Sequence, residues 1–294
     1  MTHKSLTRTA QALGLLFILF LALRPIPAEA QGTLLTPHVE SSLSLEYSKP
    51  FFDPRRPSTT AGSSVWFLST RIVKNDQIYV IAELPLVFAQ QRFTTTYSNF
   101  GVKSVYRATN QTMIGNPLIG VEVTPESLPV YYMLGVRLPL ADNDLDVAEA
   151  YGMAGDFDRF DAFSRTFTSI RTRVGLMREF RSNTKYHFWL GSILQIGNRL
   201  NSRKPLYFDY GVQLRSLNRT YRIILSISGI MLYSGRTPEF TNRLAHQFGA
   251  TVNFGSGWIR PGIHFRSPLS EQLGIEHMNY VVGFDLTMRI GPAY

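Results

Sequence analysis

Apolar and polar side chains alternate along most of the chain with a period of two residues. In a β-strand this period puts the apolar side chains on one face and the polar side chains on the other. Residues 220–232 are partly apolar on both faces, so the orientation of that segment stays open. The pattern predicts an all-β fold with twelve strands: residues 38–48, 64–73, 77–88, 116–123, 130–138, 166–177, 186–196, 206–214, 220–232, 244–254, 258–266 and 280–294.

The last of these segments shows the alternation most clearly. Asp285, Thr287 and Arg289 lie on its polar parity. A closing strand that ends on an aromatic residue is typical of the assembly signal of bacterial outer-membrane β-barrels, and the alternative is the last half-buried strand of a soluble sandwich. The predicted assembly signal is the apolar parity, which Pro292 interrupts: Tyr280, Val282, Phe284, Leu286, Met288, Ile290 and Tyr294.

The connections between the segments alternate in length, for which a soluble sandwich gives no reason. Each longer connection is followed by a shorter one, as residues 49–63 are followed by 74–76, and residues 89–115 by 124–129. Backbone groups in hydrocarbon must all be paired, so a sheet that crosses a membrane has to close on itself. The alternation therefore predicts a closed antiparallel transmembrane β-barrel of about twelve strands, with short periplasmic turns and longer outer loops.

The first residues are typical of an export signal. Lys4 and Arg8 precede an apolar run from Ala12 to Leu23, and Ala28-Glu29-Ala30 is a small-x-small cleavage pattern. The run is shorter than the roughly 20 residues that a membrane-spanning helix needs. We expect a cleaved signal peptide over residues 1–30, followed by a single barrel domain over residues 31–294.

Composition agrees with an exported barrel. The chain has no cysteine, so it has no disulfide, thiol nucleophile or cysteine-ligated metal, and its aromatic content of 13% suits aromatic girdles at two membrane interfaces. The net charge of +9 comes mostly from arginines scattered along the predicted strands. In an exported chain this favours a charged lumen or contact with anionic lipid head groups, and we expect no nucleic-acid partner.

Charged residues on the polar parity should face the lumen. Arg171 and Arg173 would form a short ladder on one strand, about 6.6 Å apart. Such a ladder either attracts the anionic end of a solute or belongs to an internal lattice of ion pairs with acids such as Glu83. The predicted lumen-lining set is Arg137, Arg171, Arg173, Arg215, Arg260, Arg266, Arg289, Glu40, Glu46, Asp209 and Asp285.

Candidate chemistry is sparse. His264 and Ser267 are residue types that barrel lipases use, but their spacing puts them on opposite parities, and His264 is expected in the lumen. The acidic run that begins at Asp142 resembles the start of a calcium loop but lacks its glycine and closing glutamate. A solvated acidic outer loop, comprising Asp142, Asp144, Asp146, Glu149, Asp156, Asp158 and Asp161, is the favoured interpretation, and a loose divalent-cation site bridging lipopolysaccharide is the alternative. We expect no catalytic residues, metal or cofactor.

Two segments resemble a known family of exported barrels. Ile114-Gly115-Asn116-Pro117-Leu118-Ile119-Gly120-Val121 is similar to a "GDP-x-LG" turn, and Leu134-Gly135-Val136-Arg137-Leu138-Pro139-Leu140 to a "G-x-x-x-P" strand end. Both occur in the meta-pathway phenol-degradation family, which is related to the long-chain fatty-acid channels. His246-Gln247-Phe248-Gly249-Ala250 and Arg266-Ser267-Pro268-Leu269 are similar to that family's closing strands. Asn116 stands where the family usually has Asp, and Leu140 where it tends to have a small residue.

The resemblance implies uptake of small hydrophobic or aromatic compounds across the outer membrane. We therefore expect an outer-membrane channel or transporter for small solutes. A barrel enzyme acting on lipid and a structural or adhesion barrel working through its outer loops are the alternatives. The expected partners are outer-membrane lipid and lipopolysaccharide, the barrel-assembly machinery and a small-molecule solute.

Overall fold

The computed structural model of the chain describes residues 41–52, 58–59, 63–75, 77–97, 103–125, 128–142, 144–181, 183–197, 205–217, 220–234, 243–255, 258–270 and 278–290. Three sequence predictions therefore lie outside the described residues: the signal peptide, Glu40 of the lumen set, and Tyr294 of the assembly signal.

Strands dominate the described residues. They are β1 (Ser42–Phe52), β2 (Ser58–Thr59), β3 (Ser64–Val73), β4 (Ile78–Tyr97), β5 (Lys103–Ile114), β6 (Leu118–Val123), β7 (Val130–Arg137), β8 (Phe167–Arg181), β9 (Thr184–Gly197), β10 (Leu206–Leu217), β11 (Tyr221–Leu232), β12 (Leu244–Phe254), β13 (Ile259–Pro268) and β14 (Met278–Arg289). Between β7 and β8 lie helix α1 (Asp146–Gly155) and a 3-10 helix (Phe157–Ala162).

Twelve of these strands form a closed antiparallel ring. The ring runs through β1, β3, β4 and then β6 to β14, and it closes where β1 pairs with β14, Leu45 lying opposite Leu286. Connections at one end of the ring are short, such as residues 74–77 and 182–183, and those at the other end are long. We call the short-turn end the periplasmic end. The prediction of a twelve-stranded barrel is confirmed.

Residues 89–115, which were expected to form an outer loop, are mostly strand. β4 pairs with β6 over residues 78–83 and with β5 over residues 86–97, so its outer part belongs to a hairpin that extends the wall. The loop prediction is therefore wrong over most of this stretch. Its threonines, tyrosines and valine favour an extended backbone, and they lack the apolar alternation by which we recognised the other strands.

The two faces of the wall have the predicted polarity. On β1 the inward side chains are Ser42, Ser44, Glu46 and Ser48, each at most 5% exposed. β11, whose orientation stayed open, points its even-numbered residues inward, from Arg222 to Ile230. Ile230 packs there against residues of the β7–β8 connection. This contact explains why the inward face of β11 is partly apolar.

The outward face carries an apolar belt that closes the ring. Every described residue of the predicted assembly signal, from Tyr280 to Ile290, faces outward on or next to β14. Across the β1–β14 seam, the Tyr47 and Phe284 rings stack with centroids 5.0 Å apart, and those of Phe51 and Tyr280 with centroids 4.9 Å apart. Outward aromatic pairs therefore reinforce the backbone ladder where the two ends of the sheet meet.

Replacing Phe284 with Arg should destabilise the barrel by about 2–4 kcal/mol, because residue 284 lies halfway along β14 on the lipid face. Ile290→Arg is the matched control. Ile290 faces outward just beyond the strand, where the expected cost falls to about 0–1 kcal/mol. The measurement is the urea midpoint of the barrel refolded into lipid vesicles, and equal losses for the two variants would contradict this placement.

The β7–β8 connection folds back into the barrel. We call residues 144–164, which contain α1 and the 3-10 helix, the plug. Phe163 packs on Phe67 of β3 with ring centroids 5.8 Å apart, and Phe160 packs on Tyr207 of β10 at 4.7 Å. Apolar clusters join the plug to opposite sides of the wall, so the lumen is filled at this level.

Close approach requires small residues on α1. A Cβ atom at Gly155 would lie 2.4 Å from Val65 of β3, and one at Gly152 would lie 2.3 Å from Phe163. Asp146 and Glu149 occupy the first turn, where negative charge stabilises a helix. None of the helices in the described part of the chain is long and apolar enough to cross a membrane.

Candidate functional site: the plugged lumen

Arg159 is the centre of the contact between plug and wall. Its Nη2 donates to Glu46 on β1 at 2.6 Å and its Nη1 to Glu83 on β4 at 2.9 Å. Its Nε donates to Asp156 of the plug, and its guanidinium lies 3.5 Å from the centroid of the Phe67 ring. With 2% exposure, this arginine joins three carboxylates and an aromatic face away from water.

Arg266 of β13 forms a second ion-pair bridge between the wall and the plug. Its Nη2 donates to Glu46 at 2.7 Å, and its Nη1 lies 3.1 Å from Asp156 Oδ2. The same Nη1 donates to the carbonyl of Gly155 at 3.4 Å, where α1 ends. Arg266 thus neutralises two of the carboxylates that Arg159 contacts, and it adds a cation at the helix C-terminus, where positive charge is favourable.

Arg137 and Arg171 hold the end of the plug. Arg137 donates to Glu83 at 2.6 Å and lies 3.2 Å from Asp161 Oδ2. Arg171 lies 3.3 Å from the other oxygen of Asp161 and donates to the carbonyl of Asp158 at 2.8 Å. Both arginines lie on the inward face of their strands and are buried, and what they contact is the plug.

Asn116, at the break between β5 and β6, ties both ends of the connection together. Its Nδ2 donates to the carbonyls of Asp161 and Ser164 at 3.2 and 2.7 Å, and its Oδ1 accepts from the backbone N–H of Ala141 at 2.9 Å. The resembling family usually has Asp at this position. A carboxylate could still accept from Ala141, but it cannot donate to the two carbonyls.

Replacing Asn116 with Asp should therefore loosen the plug. Each buried carbonyl that loses its donor costs about 1–3 kcal/mol, and the new charge would face carbonyl oxygens. We expect faster proteolytic cleavage within residues 144–164 of the detergent-solubilised barrel. Asn110→Asp, on an exposed part of β5, is the control and should leave the cleavage rate unchanged. Equal protection of both variants would show that this clamp does not hold the plug.

Asp158 is a carboxylate of the plug with a perturbed pKa. Ser228 Oγ donates to its Oδ2 at 3.0 Å. Burial, assisted by the nearby charge of Asp156, raises the pKa of Asp158 from 3.8 to about 6. Because the docked plug binds this proton more tightly than a solvated aspartate does, docking should strengthen as the pH falls from above 6 towards about 4.

Asp158→Asn should remove this pH dependence. In the unaltered chain, docking at pH 7.5 is expected to be weaker than at pH 5 by about 1 kcal/mol, since pH 5 lies about one unit below the raised pKa of Asp158. The measurement is the protease protection of residues 144–164 at the two pH values. Asp144→Asn, an exposed position, should retain the dependence. If Asp158→Asn retained it as well, another group would be responsible.

Nearer the periplasmic end, Arg173 pairs with the wall. Its Nε donates to Asp209 at 3.0 Å, and its guanidinium lies 5.7 Å from the centroid of the Trp189 ring. Arg215 donates to Gln213 at 2.6 Å. Of the two interpretations of the Arg171–Arg173 ladder, the internal lattice of ion pairs matches these contacts. Arg260 and Arg289 also face inward.

The acidic stretch between β7 and β8 divides in two. Asp142 and Asp144 are exposed, as expected of an outer loop. Asp156, Asp158 and Asp161 are at most 6% exposed, so the prediction of a solvated loop is wrong for them. Strand arginines distant in sequence pair with Asp156 and Asp161, and Ser228 of β11 donates to Asp158. Among the described residues, His and acidic side chains form no group of three that could hold a metal ion.

Sequence reasoning missed Arg159 and its role. The signal that could have found it is the spacing of Phe157, Phe160 and Phe163 among the charged residues. Large aromatic side chains at every third position indicate a buried turn of helix, and a charged residue between them then requires a partner.

The hydrogen-bond partner of His264 is Ser48, and not Ser267, which the sequence suggested. Its Nε2 lies 3.0 Å from Ser48 Oγ, and its Nδ1 lies 3.9 Å from Asp285 Oδ1. Asn253 Nδ2 donates to both oxygens of Asp285, at 3.2 and 3.1 Å. Ser267, the sequence candidate, donates to the carbonyl of Pro268 at 3.5 Å. His264 therefore faces the lumen, as predicted, within a polar chain along the β1–β14 seam.

Comparison with known proteins gives no matching family model and no match among curated proteins. Among solved structures, the chain is similar to an outer-membrane channel from Pseudomonas putida F1, with a TM-score of 0.57 and 11% identity over 90% of this chain and 100% of that chain. A NanC porin has a TM-score of 0.48 and 6% identity over 85% of this chain and 100% of its own. LpxR from Salmonella typhimurium has a TM-score of 0.48 and 11% identity over the same shares.

At these identities the first likeness shows the fold, which is that of an outer-membrane β-barrel. The outward apolar belt agrees with it, since a closed ring with an apolar outer face is the form in which β-sheets cross membranes. The chain is a bacterial outer-membrane β-barrel, as the sequence predicts.

Proposed function

We propose that the chain is an outer-membrane channel for small solutes, closed by the plug in the state described. The observation that carries this proposal is the way in which the plug is attached. The plug comes from an outer connection and pairs with the wall through side chains such as Arg159, with no β-ladder between them. Side-chain contacts of this kind can be exchanged for water when the plug moves.

The width of the ring supports the same proposal. Wall side chains suffice to fill a barrel of about eight strands, whereas a twelve-stranded ring needs additional material. A segment attached at both ends supplies that material here, and its ends converge on the single side chain of Asn116. Such a segment can move as a unit and return.

We further propose small hydrophobic or aromatic compounds as the solutes. The support is the resemblance of the Ile114–Val121 and Leu134–Leu140 segments to the phenol-degradation family of exported barrels, within the fatty-acid channel superfamily. The similar structure from Pseudomonas putida F1 is named an outer-membrane channel. Inward aromatic side chains, among them Tyr79, Tyr131 and Trp189, offer apolar contact surface below the plug.

An enzyme acting on lipid is the alternative from another class, and we propose that the chain is not one. Ser48, His264 and Asp285 are residue types of a hydrolytic triad, but they face the lumen and lipid lies outside the wall. Each belongs to a strand paired on both sides, so its backbone N–H is used in the ladder and is not available to an oxyanion. A structural or adhesion role of the outer loops would require no movable plug.

The proposed partners follow from the outward face. The apolar belt would contact outer-membrane lipid, and its outer rim would contact lipopolysaccharide. The apolar parity of β14 would be recognised by the barrel-assembly machinery.

The test is solute passage through the full chain in planar bilayers and liposomes. We expect brief openings of small conductance, and swelling of liposomes in isosmotic benzyl alcohol or benzoate that exceeds swelling in a trisaccharide. The boiled protein is the control. Absence of both conductance and swelling, in a barrel that still migrates as a folded species before boiling, would contradict the proposal.

A further inference from the structure

Thr166, the second residue after the plug, has a left-handed backbone conformation. Its φ of 64° is the one positive φ that a residue other than glycine has in the described part of the chain. Residues with a branched Cβ rarely adopt this conformation, because the Cβ atom comes too close to the following carbonyl oxygen. The side chain of Thr166 is exposed, so packing does not compensate for the unfavourable backbone.

Elsewhere the chain uses glycine for a left-handed backbone. Gly255, which directly follows β12 at the periplasmic end, has a φ of 87°. Glycine has no Cβ atom and adopts positive φ about as readily as negative φ. The left-handed conformation is therefore formed without strain at Gly255 and with strain at Thr166.

Contacts of the docked plug fix the backbone before Thr166. The Nδ2 of Asn116 in the wall donates to the carbonyl of Ser164 at 2.7 Å. The backbone N–H of Arg165 donates to Glu149 Oε1 of α1 at 3.1 Å. The two residues before Thr166 are therefore held in place by the wall and by the plug helix as long as the plug is docked.

Strand pairing fixes the backbone after Thr166. β8 begins at Phe167, which lies opposite Gly197 of β9. Thr166 is therefore the single residue that joins two fixed segments, and both of them impose its conformation. A residue in a sparsely populated backbone region persists only where its surroundings determine it in this way.

We propose that Thr166 is a strained hinge that favours release of the plug. In the docked state its left-handed backbone opposes the ion pairs that hold the plug, such as those of Arg159. When the plug leaves the lumen, the contacts of Ser164 and Arg165 are lost, and Thr166 relaxes to the extended backbone that threonine prefers. The closed state is thus less stable than its ion pairs alone would make it. The inference rests on the proposed function in one respect, that release of the plug opens a path for solute.

The test is a series of substitutions at Thr166 in the full chain, measured by protease cleavage within residues 144–164 of the detergent-solubilised barrel. The cleavage rate follows the population of released plug when docking is fast relative to cleavage. Urea is added to a concentration at which the plug of the unaltered chain is cleaved at a measurable rate. We expect Thr166→Gly to be cleaved about tenfold more slowly, because its docked state carries no strain at residue 166.

Three further variants separate strain from general effects on the backbone. Asparagine tolerates the left-handed conformation better than threonine does, so Thr166→Asn should be cleaved at a rate between those of Thr166→Gly and the unaltered chain. Thr166→Val keeps the branched Cβ and should be cleaved at least as fast as the unaltered chain. Thr168→Gly, inside β8, adds the same flexibility without relieving a left-handed residue and should not slow cleavage. Migration before and after boiling shows that each variant is folded.

The outcomes distinguish this inference from the proposed function. Cleavage of Thr166→Gly at the unaltered rate or faster, or equal slowing by Thr168→Gly, would overturn the hinge even if the barrel conducts. Cleavage that is slowest with glycine, intermediate with asparagine and fastest with threonine, in a barrel that never conducts, would uphold the hinge and refute the channel. In a barrel that conducts, Thr166→Gly should also lower the ratio of open to closed time about tenfold in bilayer recordings.

Discussion

Replacing residues 144–164 with a short glycine–serine linker is expected to raise the single-channel conductance several-fold and to convert brief openings into a steady current. The plug fills the lumen between opposite walls, and its removal would leave an open passage between the wall residues that contact it. A short linker suffices, because Asn116 binds both Ala141 and Ser164 and so holds the two ends of the connection close together.

The matched control shortens a segment outside the ring. Residues 92–97 and 103–108 pair in the outer part of the β4–β5 hairpin, and replacing residues 92–108 with a tight turn should leave the conductance unchanged. Both variants should remain β-rich by circular dichroism and heat-modifiable on gels. If the plug deletion folded but its conductance stayed at the level of the unaltered chain, the plug would not be the barrier to solute.

The barrel could be predicted from the sequence because the lipid outside and the polar interior impose a pattern of polarity along each strand. Lipid outside and a polar interior require a change of polarity at each successive residue, so β14 can be recognised from its own side chains. The prediction of an outer loop over residues 89–115 was wrong because this rule does not apply there. The outer part of β4 extends beyond β3, whose pairing with β4 ends at Phe88, so it is not part of the ring.

The plug could not be predicted because its stability depends on partners that are far away in sequence. Asp161 appears solvated when only its neighbours are considered, and it becomes a buried ion-pair member only when Arg137 and Arg171 converge on it. That convergence depends on barrel closure and on strand register, which the spacing of charged residues does not encode. The sequence shows that Asn116 stands where the resembling family usually has Asp. The reason, which is that Asn116 donates to two plug carbonyls, can be seen only in the folded structure.

Replacing Arg159 with Met should have the largest effect of any single substitution in the plug. Met has a similar length and can keep the contact with Phe67, but it leaves Glu46, Glu83 and Asp156 without their shared cation. Removing one partner of a buried ion pair costs about 3–5 kcal/mol. Since Arg266 still reaches Glu46 and Asp156, we expect about 3 kcal/mol, at the lower end of this range.

This loss should appear as an increase of roughly 100-fold in the ratio of open to closed time in bilayer recordings, with a conductance equal to that of the plug deletion. Arg165→Met, at the residue that directly follows the plug, is the matched control. Arg165 is partly exposed and pairs with Asp146 and Glu149 near the surface, where such pairs contribute about 0–1 kcal/mol.

A third variant separates lost charge pairing from lost packing. Glu83→Gln added to Arg159→Met removes one of the carboxylates left without the arginine, so the double variant should stay closed for longer than Arg159→Met does. Arg137, which also contacts Glu83, could still donate to the amide oxygen. If the double variant opened more than Arg159→Met instead, packing against Phe67 and the other apolar residues, and not charge pairing, would govern the docking of the plug.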